Sequence, residues 1–213
     1  MTYINYQKAR DAAWESLIKN NVTSLPVKIS KICKNNGIIL LPYSKADPII
    51  RLGGMWGDRI NNDGFSTILS SSGKNISCIF YDDLECSQQR QRFTIGHELG
   101  HFLCGHVREG QATHRNKEPS VSDSPIETQA NIIASRILAP ACVLWALHVR
   151  DAETIAKLCD ISLLAAQWRM KRLNHLYERE KVFLEKYGKT CFLQSPLERK
   201  VFEQFQPFIK GCL

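Results

Sequence analysis

The chain has no Cys-x-x-Cys pair, and its eight cysteines are scattered: the closest two, Cys78 and Cys86, stand eight residues apart. That spacing excludes a cysteine zinc ribbon and argues against a disulfide framework. Free, mostly buried thiols in a reducing cytoplasm are the expectation. The first twenty residues, MTYINYQKARDAAWESLIKN, hold no apolar stretch of the signal-peptide kind. The longest apolar run, near Pro140 to Val149, is too short to span a bilayer, so no membrane partner is expected. There is no internal repeat and no low-complexity tract, and 140–149 is only a weak candidate for a linker.

What is present is ordinary for a globular chain of 213 residues: 44% apolar and 23% charged. That length suits one packed core, or a catalytic domain with a helical extension. The net charge is +7. Acidic residues stand between the basic ones along the whole chain, so the charge does not point to direct nucleic-acid binding.

Ala9, Ala13, Trp14, Leu17 and Ile18 recur at helical spacing and predict a helix over 4–20. A short helix follows Pro26 and stops at Gly37, and GIILLPY reads as a strand. FSTILSS and NISCIFYD flank Ser72-Gly73-Lys74 as a β-hairpin. A helix is expected from about Ser87 to His106, then a polar surface loop from Val107 to Asp123, then a helix from about Ser124 to Leu138. Beyond Pro140 the pattern is helical, with Asp151 and Ser162 as N-caps and a break at Gly188. The class is therefore α+β, with a small antiparallel sheet and a mostly helical C-terminal region.

The helix over 87–106 carries His97-Glu98-Leu99-Gly100-His101. Residues four apart share one helix face, so His97 and His101 present two imidazoles to one point, a geometry that suits zinc. Glu98 is rotated by about 100° and does not easily reach the same ion. It can reach a water there and take its proton as general base. The alternative is a surface helix with two unrelated histidines. Phe93, Ile95, Leu99, Phe102 and Leu103 oppose it, because they make the helix a buried one. Gly100 costs about 1 kcal/mol relative to Ala inside a helix and signals close approach of another backbone.

A catalytic zinc needs a third protein ligand and an open position. His106 is one option, although it falls near the helix end. Glu127, on the next helix, is the better one: it can complete a His2Glu set. Glu127 also fits a capping box with Ser124, which would give it a purely structural role. Asn131, four residues further on, can accept the free ring N–H of a ligand histidine. Tyr81, His106 and His114 stand as candidates for stabilising the transition state.

QRFTIGHELGHFLCGH followed by IETQANIIASRILAP resembles the ImmA/IrrE family of metallo-endopeptidases. LPVKISKICKNNGIILL is similar to that family's opening helix and strand, and DGFSTILSSSGKNISCIFYDD to the hairpin before its metal helix, so the resemblance covers about residues 1 to 140. It implies a zincin-like domain of the gluzincin type, a metal on His97, His101 and Glu127, and a catalytic Glu98. It implies zinc, with manganese as the other choice. It implies a substrate too: a helix-turn-helix transcriptional repressor, often encoded beside the peptidase in a mobile element or stress regulon. Ile133-Ala134 stands where Phe-Ala is common in the family, and Gly96 where Ala is frequent; neither touches a ligand.

The expected division is a metallopeptidase domain over 1–140 and a helical extension over 141–213. Residues 151–176 have the form of a helix-turn-helix, with Arg169, Lys171 and Arg172 on the second helix. That helix opens with Leu163, Leu164, Ala165 and Ala166, however, where base-reading side chains should stand. Packing on the catalytic domain is the favoured reading, with Ile155, Leu158, Leu163, Leu164, Ala166, Met170 and Leu173 as its core. The competing functions are a DNA-associated regulator with a structural metal and a partner that sequesters a repressor uncut. Neither has a use for Glu98.

Overall fold

The computed structural model describes residues 5–52, 54–55, 62–71, 73–108, 113–116 and 124–213. The chain is α+β and forms two compact units: Met1–Ala12 with Lys28–Ala134, and Ala13–Val27 with Ser135–Leu213. Residues 13–27 thus join the C-terminal residues in one unit.

The first unit is built on a four-stranded sheet, β1 Ile39–Pro42, β2 Asn62–Ser71, β3 Lys74–Tyr81 and β4 Thr113–Asn116, in the order β1-β3-β2-β4. β2 and β3 form the expected antiparallel hairpin, closed at the Ser71–Lys74 pair with Gly73 at φ +74°. β1 adds parallel to β3 and β4 antiparallel to β2. β4 lies in the segment expected to be a loop. Of that segment, 109–112 and 117–123 lie outside the described residues, as do the side chains of 113–116, His114 among them.

Side chains alternate across a sheet, and the two faces of β2 do different things. Phe65 stacks on Phe80 at 4.6 Å between ring centres, in a core shared with Tyr43, Ala46 and Ile50 of helix α3, Tyr43–Leu52. Ser66, the next residue, meets helix α4, Gln88–Cys104. α3 has no counterpart in the sequence reading; Pro48 sits inside it. Helices α1, Tyr6–Lys19, and α2, Ile29–Asn35, form where the spacing puts them, and Ala9, Ala13, Trp14 and Leu17 are buried. Ser87 caps α4 by accepting from the Arg90 N–H. Gly105, at φ +72°, ends it. Helix α5, Pro125–Leu138, starts at Ser124, whose Oγ accepts from the Glu127 N–H.

The second unit holds α6 Ala141–Ala146, α7 Ala152–Cys159, α8 Leu163–Tyr187, α9 Pro196–Gln204 and α10 Gln206–Cys212. Asp151 and Ser162 cap α7 and α8 as expected, and Gly188 ends α8. Ile155, Ala166, Met170 and Leu173 are core residues, but Leu163 and Leu164 are 46% and 64% exposed: the first turn of α8 turns both outward. Arg169 is buried, and its Nε donates to the Ala139 carbonyl at 2.7 Å, so it is not a side chain offered to nucleic acid. The stretch Pro125–Ala146 is long and apolar enough to cross a membrane by length and composition, and 67% of its apolar window is buried within the protein.

Candidate metal centre

α4 and α5 supply the site. His97 and His101 are one turn apart on α4, and both are buried. Glu127 stands in the first turn of α5. His97 Nε2 lies 3.1 Å from His101 Nε2 and 3.0 Å from Glu127 Oε2; His101 Nε2 lies 3.4 Å from Glu127 Oε1. Ligand bonds of about 2.0–2.1 Å in a tetrahedron imply edges of roughly 3.3 Å. The three donors, all within 4.8 Å of one another, therefore fit the grip on one small divalent ion.

The helix contact that permits this is Gly100. A Cβ there would stand 3.0 Å from both the Cα and the carbonyl oxygen of Ala130, and 3.3 Å from Ile133 Cβ. Gly100 thus meets the α5 backbone, the close approach expected of it. Gly64, on β2, leaves room for the Thr94 side chain of α4: its Cβ would fall 2.5 Å from Thr94 Cγ2, and 2.7 Å from the Phe80 carbonyl of β3.

Glu127 has two possible jobs, and its carboxylate takes one. Ser124 does cap α5, yet both Glu127 oxygens face the imidazoles. Asn131 Oδ1 lies 2.9 Å from His97 Nδ1. An amide oxygen can only accept, so the His97 proton is on Nδ1 and the lone pair of Nε2 faces the cluster.

Glu98 is fully buried and is not a member of the cluster. Its Oε2 accepts from Ser66 Oγ at 2.7 Å. A hydrogen bond of this kind fixes the side chain's direction. His106 is not in the cluster either. Its Nδ1 lies 3.2 Å from His101 Nδ1 and its Nε2 lies 3.0 Å from Gln129 Oε1. Burial, then the neighbouring His101, pushes the His106 ring down from its usual range. Tyr81 ends β3 opposite Gly64, and no hydrogen bond joins it to the cluster among the described residues.

Three side chains here escaped the sequence reading or were given another job in it: Ser66, Gln129 and His106. Ser66 leaves one faint trace, a serine beside Phe65 in a strand that otherwise reads as buried.

No curated protein matches the chain. A family model described as IrrE N-terminal-like domain, Peptidase M78, matches residues 59–171, more than half of the 213. The match takes in β2, β3, α4 and α5, and with them every residue of the cluster. The chain therefore belongs to the IrrE N-terminal-like family, Peptidase M78, a family of metallopeptidases.

Proposed function

We propose that this protein is a zinc-dependent endopeptidase in which His97, His101 and Glu127 hold the metal and Glu98 is the general base. One observation carries the reading: two imidazoles and a carboxylate converge on a point while a fourth side chain, the buried Glu98 next to His97 on α4, stays out of the cluster with its carboxylate held by Ser66. A structural metal site closes all its positions with ligands, whereas a catalytic one keeps a position open and a base beside it. When bound, the metal acidifies a water and polarises the peptide carbonyl. Glu98 takes the water's proton and returns it to the leaving nitrogen. Asn131 keeps His97 in the tautomer that ligates. Two imidazoles and a carboxylate suit zinc, with manganese the alternative that metal analysis would reveal.

The substrate we propose is a helix-turn-helix transcriptional repressor, cut in an extended linker. Its class rests on the family. The extended conformation rests on the sheet, whose outer strands among the described residues are β1 and β4, where a chain without structure of its own can add as a further strand. The eight cysteines are all free, which supports a cytoplasmic setting. The test is Glu98→Gln. The amide fills the same space and cannot accept a proton. We expect the variant to keep its metal and fold, and to lose more than about 100-fold in cleavage rate. Activity within ten-fold of the parent would remove Glu98 from this role.

A further inference from the structure

For His101 to ligate through Nε2, its proton must sit on Nδ1, and that N–H needs an acceptor. Asn131 serves His97. Beside His101 Nδ1 lies a second imidazole, His106, at 3.2 Å. Its position follows from the end of α4. Gly105 N–H donates to the Phe102 carbonyl and His106 N–H to the His101 carbonyl, the paired bonds of a Schellman turn. That turn folds His106 back over the residue it must serve.

An imidazole is an ambiguous partner, because either of its nitrogens can carry the proton. Gln129 removes the ambiguity. Its Oε1 lies 3.0 Å from His106 Nε2 and can only accept, so the His106 proton is on Nε2 and His106 Nδ1 is an acceptor. The direction then propagates: His101 Nδ1–H donates to His106 Nδ1, and the His101 Nε2 lone pair faces His97 and Glu127. Reversing the Gln129 amide would reverse every bond and aim a proton from His101 Nε2 into the cluster. Gln129 is 8% exposed, so water does not readily substitute for it.

We propose that His106 and Gln129 are positioning residues, a two-step relay that holds His101 in its metal-binding tautomer. This rests on the assignment of His101 as a ligand, and the test separates the two. In the metal-free parent, nitrogen-15 NMR of the histidine rings should show His101 protonated at Nδ1. In Gln129→Met and His106→Phe the Nε2–H form of His101 should gain. Zinc competition against a chromophoric chelator should show affinity falling about ten-fold in Gln129→Met and about 10- to 100-fold in His106→Phe. Gln129→Glu, which retains an acceptor, should keep affinity within about three-fold of the parent, a rescue that a space-filling role would not give. A parent His101 found as Nε2–H, or Gln129→Met indistinguishable from parent in both tautomer and affinity, overturns the relay. A parent with the expected tautomer that binds no zinc leaves the relay standing and overturns the metal site instead.

Discussion

At the scale of single residues, the site divides into groups that spacing reveals and groups that only folding reveals. His97, Glu98 and His101 are legible because helix periodicity fixes their directions from the sequence alone. Asn131 is legible for the same reason, one turn beyond Glu127. Glu127 was ambiguous, since a capping box and a metal ligand can use the same glutamate; the structure turns its carboxylate to the imidazoles. Ser66 was not legible, because the contact that matters joins residues 32 apart and nothing local marks one serine among several. It leads to a prediction. Ser66→Ala leaves the metal cluster intact but releases the Glu98 carboxylate. Peptide cleavage should fall about ten-fold, roughly 1.4 kcal/mol of barrier, with metal content unchanged. Steady-state kinetics with metal analysis on one preparation checks both halves. Glu127→Ala should do the opposite and lose the metal, because two imidazoles alone make an incomplete site. If Glu127→Ala still binds zinc as the parent does, the third ligand is another residue.

Among the elements, α4 is the one whose sequence and structure agree most closely, and Gly100 is the reason it sits where it does. Replacing it by Ala sets two effects against each other. The intrinsic helix preference favours Ala by about 1 kcal/mol. The new Cβ would meet the Ala130 backbone at 3.0 Å, and backbone in a packed helix does not yield like a side-chain tip. Overpacking of this kind costs about 1–3 kcal/mol, so Gly100→Ala should lower stability on balance, by about 1 kcal/mol in denaturant melts. It should also weaken zinc binding, since Ala130 lies between Glu127 and Asn131 on α5. A variant more stable than the parent, with full affinity, would show that the two helices can part without harm. Other elements were less legible for identifiable reasons. β4 is only Thr113–Asn116, too short and too polar to show a strand pattern, and its pairing with β2 is made across the whole of α4. α3 carries Pro48 in its middle, which reads as a break. In the second unit the helices and caps were legible, but the outward turn of Leu163 and Leu164 was not: period alone cannot tell which face of a helix finds a partner.

For the molecule as a whole, the proposed substrate governs the pattern of cutting. A peptidase that needs an extended segment should make few cuts, confined to one flexible stretch of a repressor. Incubation with repressors encoded by neighbouring genes, read by mass spectrometry of the products, tests this. Efficient digestion of casein with no preference for a repressor would mean a general scavenging protease. The fold class and the metal face were legible at this scale because they follow from patterns within the chain; the partner was not, because specificity is a property of two molecules. Every residue from Thr94 to His101 is buried. Backbone amide protons there should therefore exchange with solvent only when the structure around them opens as a unit. The stretch of α4 that carries the two histidines is thus enclosed by the protein around it. A chelator should silence the protein without loosening it, the slow-exchanging amides of α4 should stay slow, and added zinc should restore activity without any refolding step.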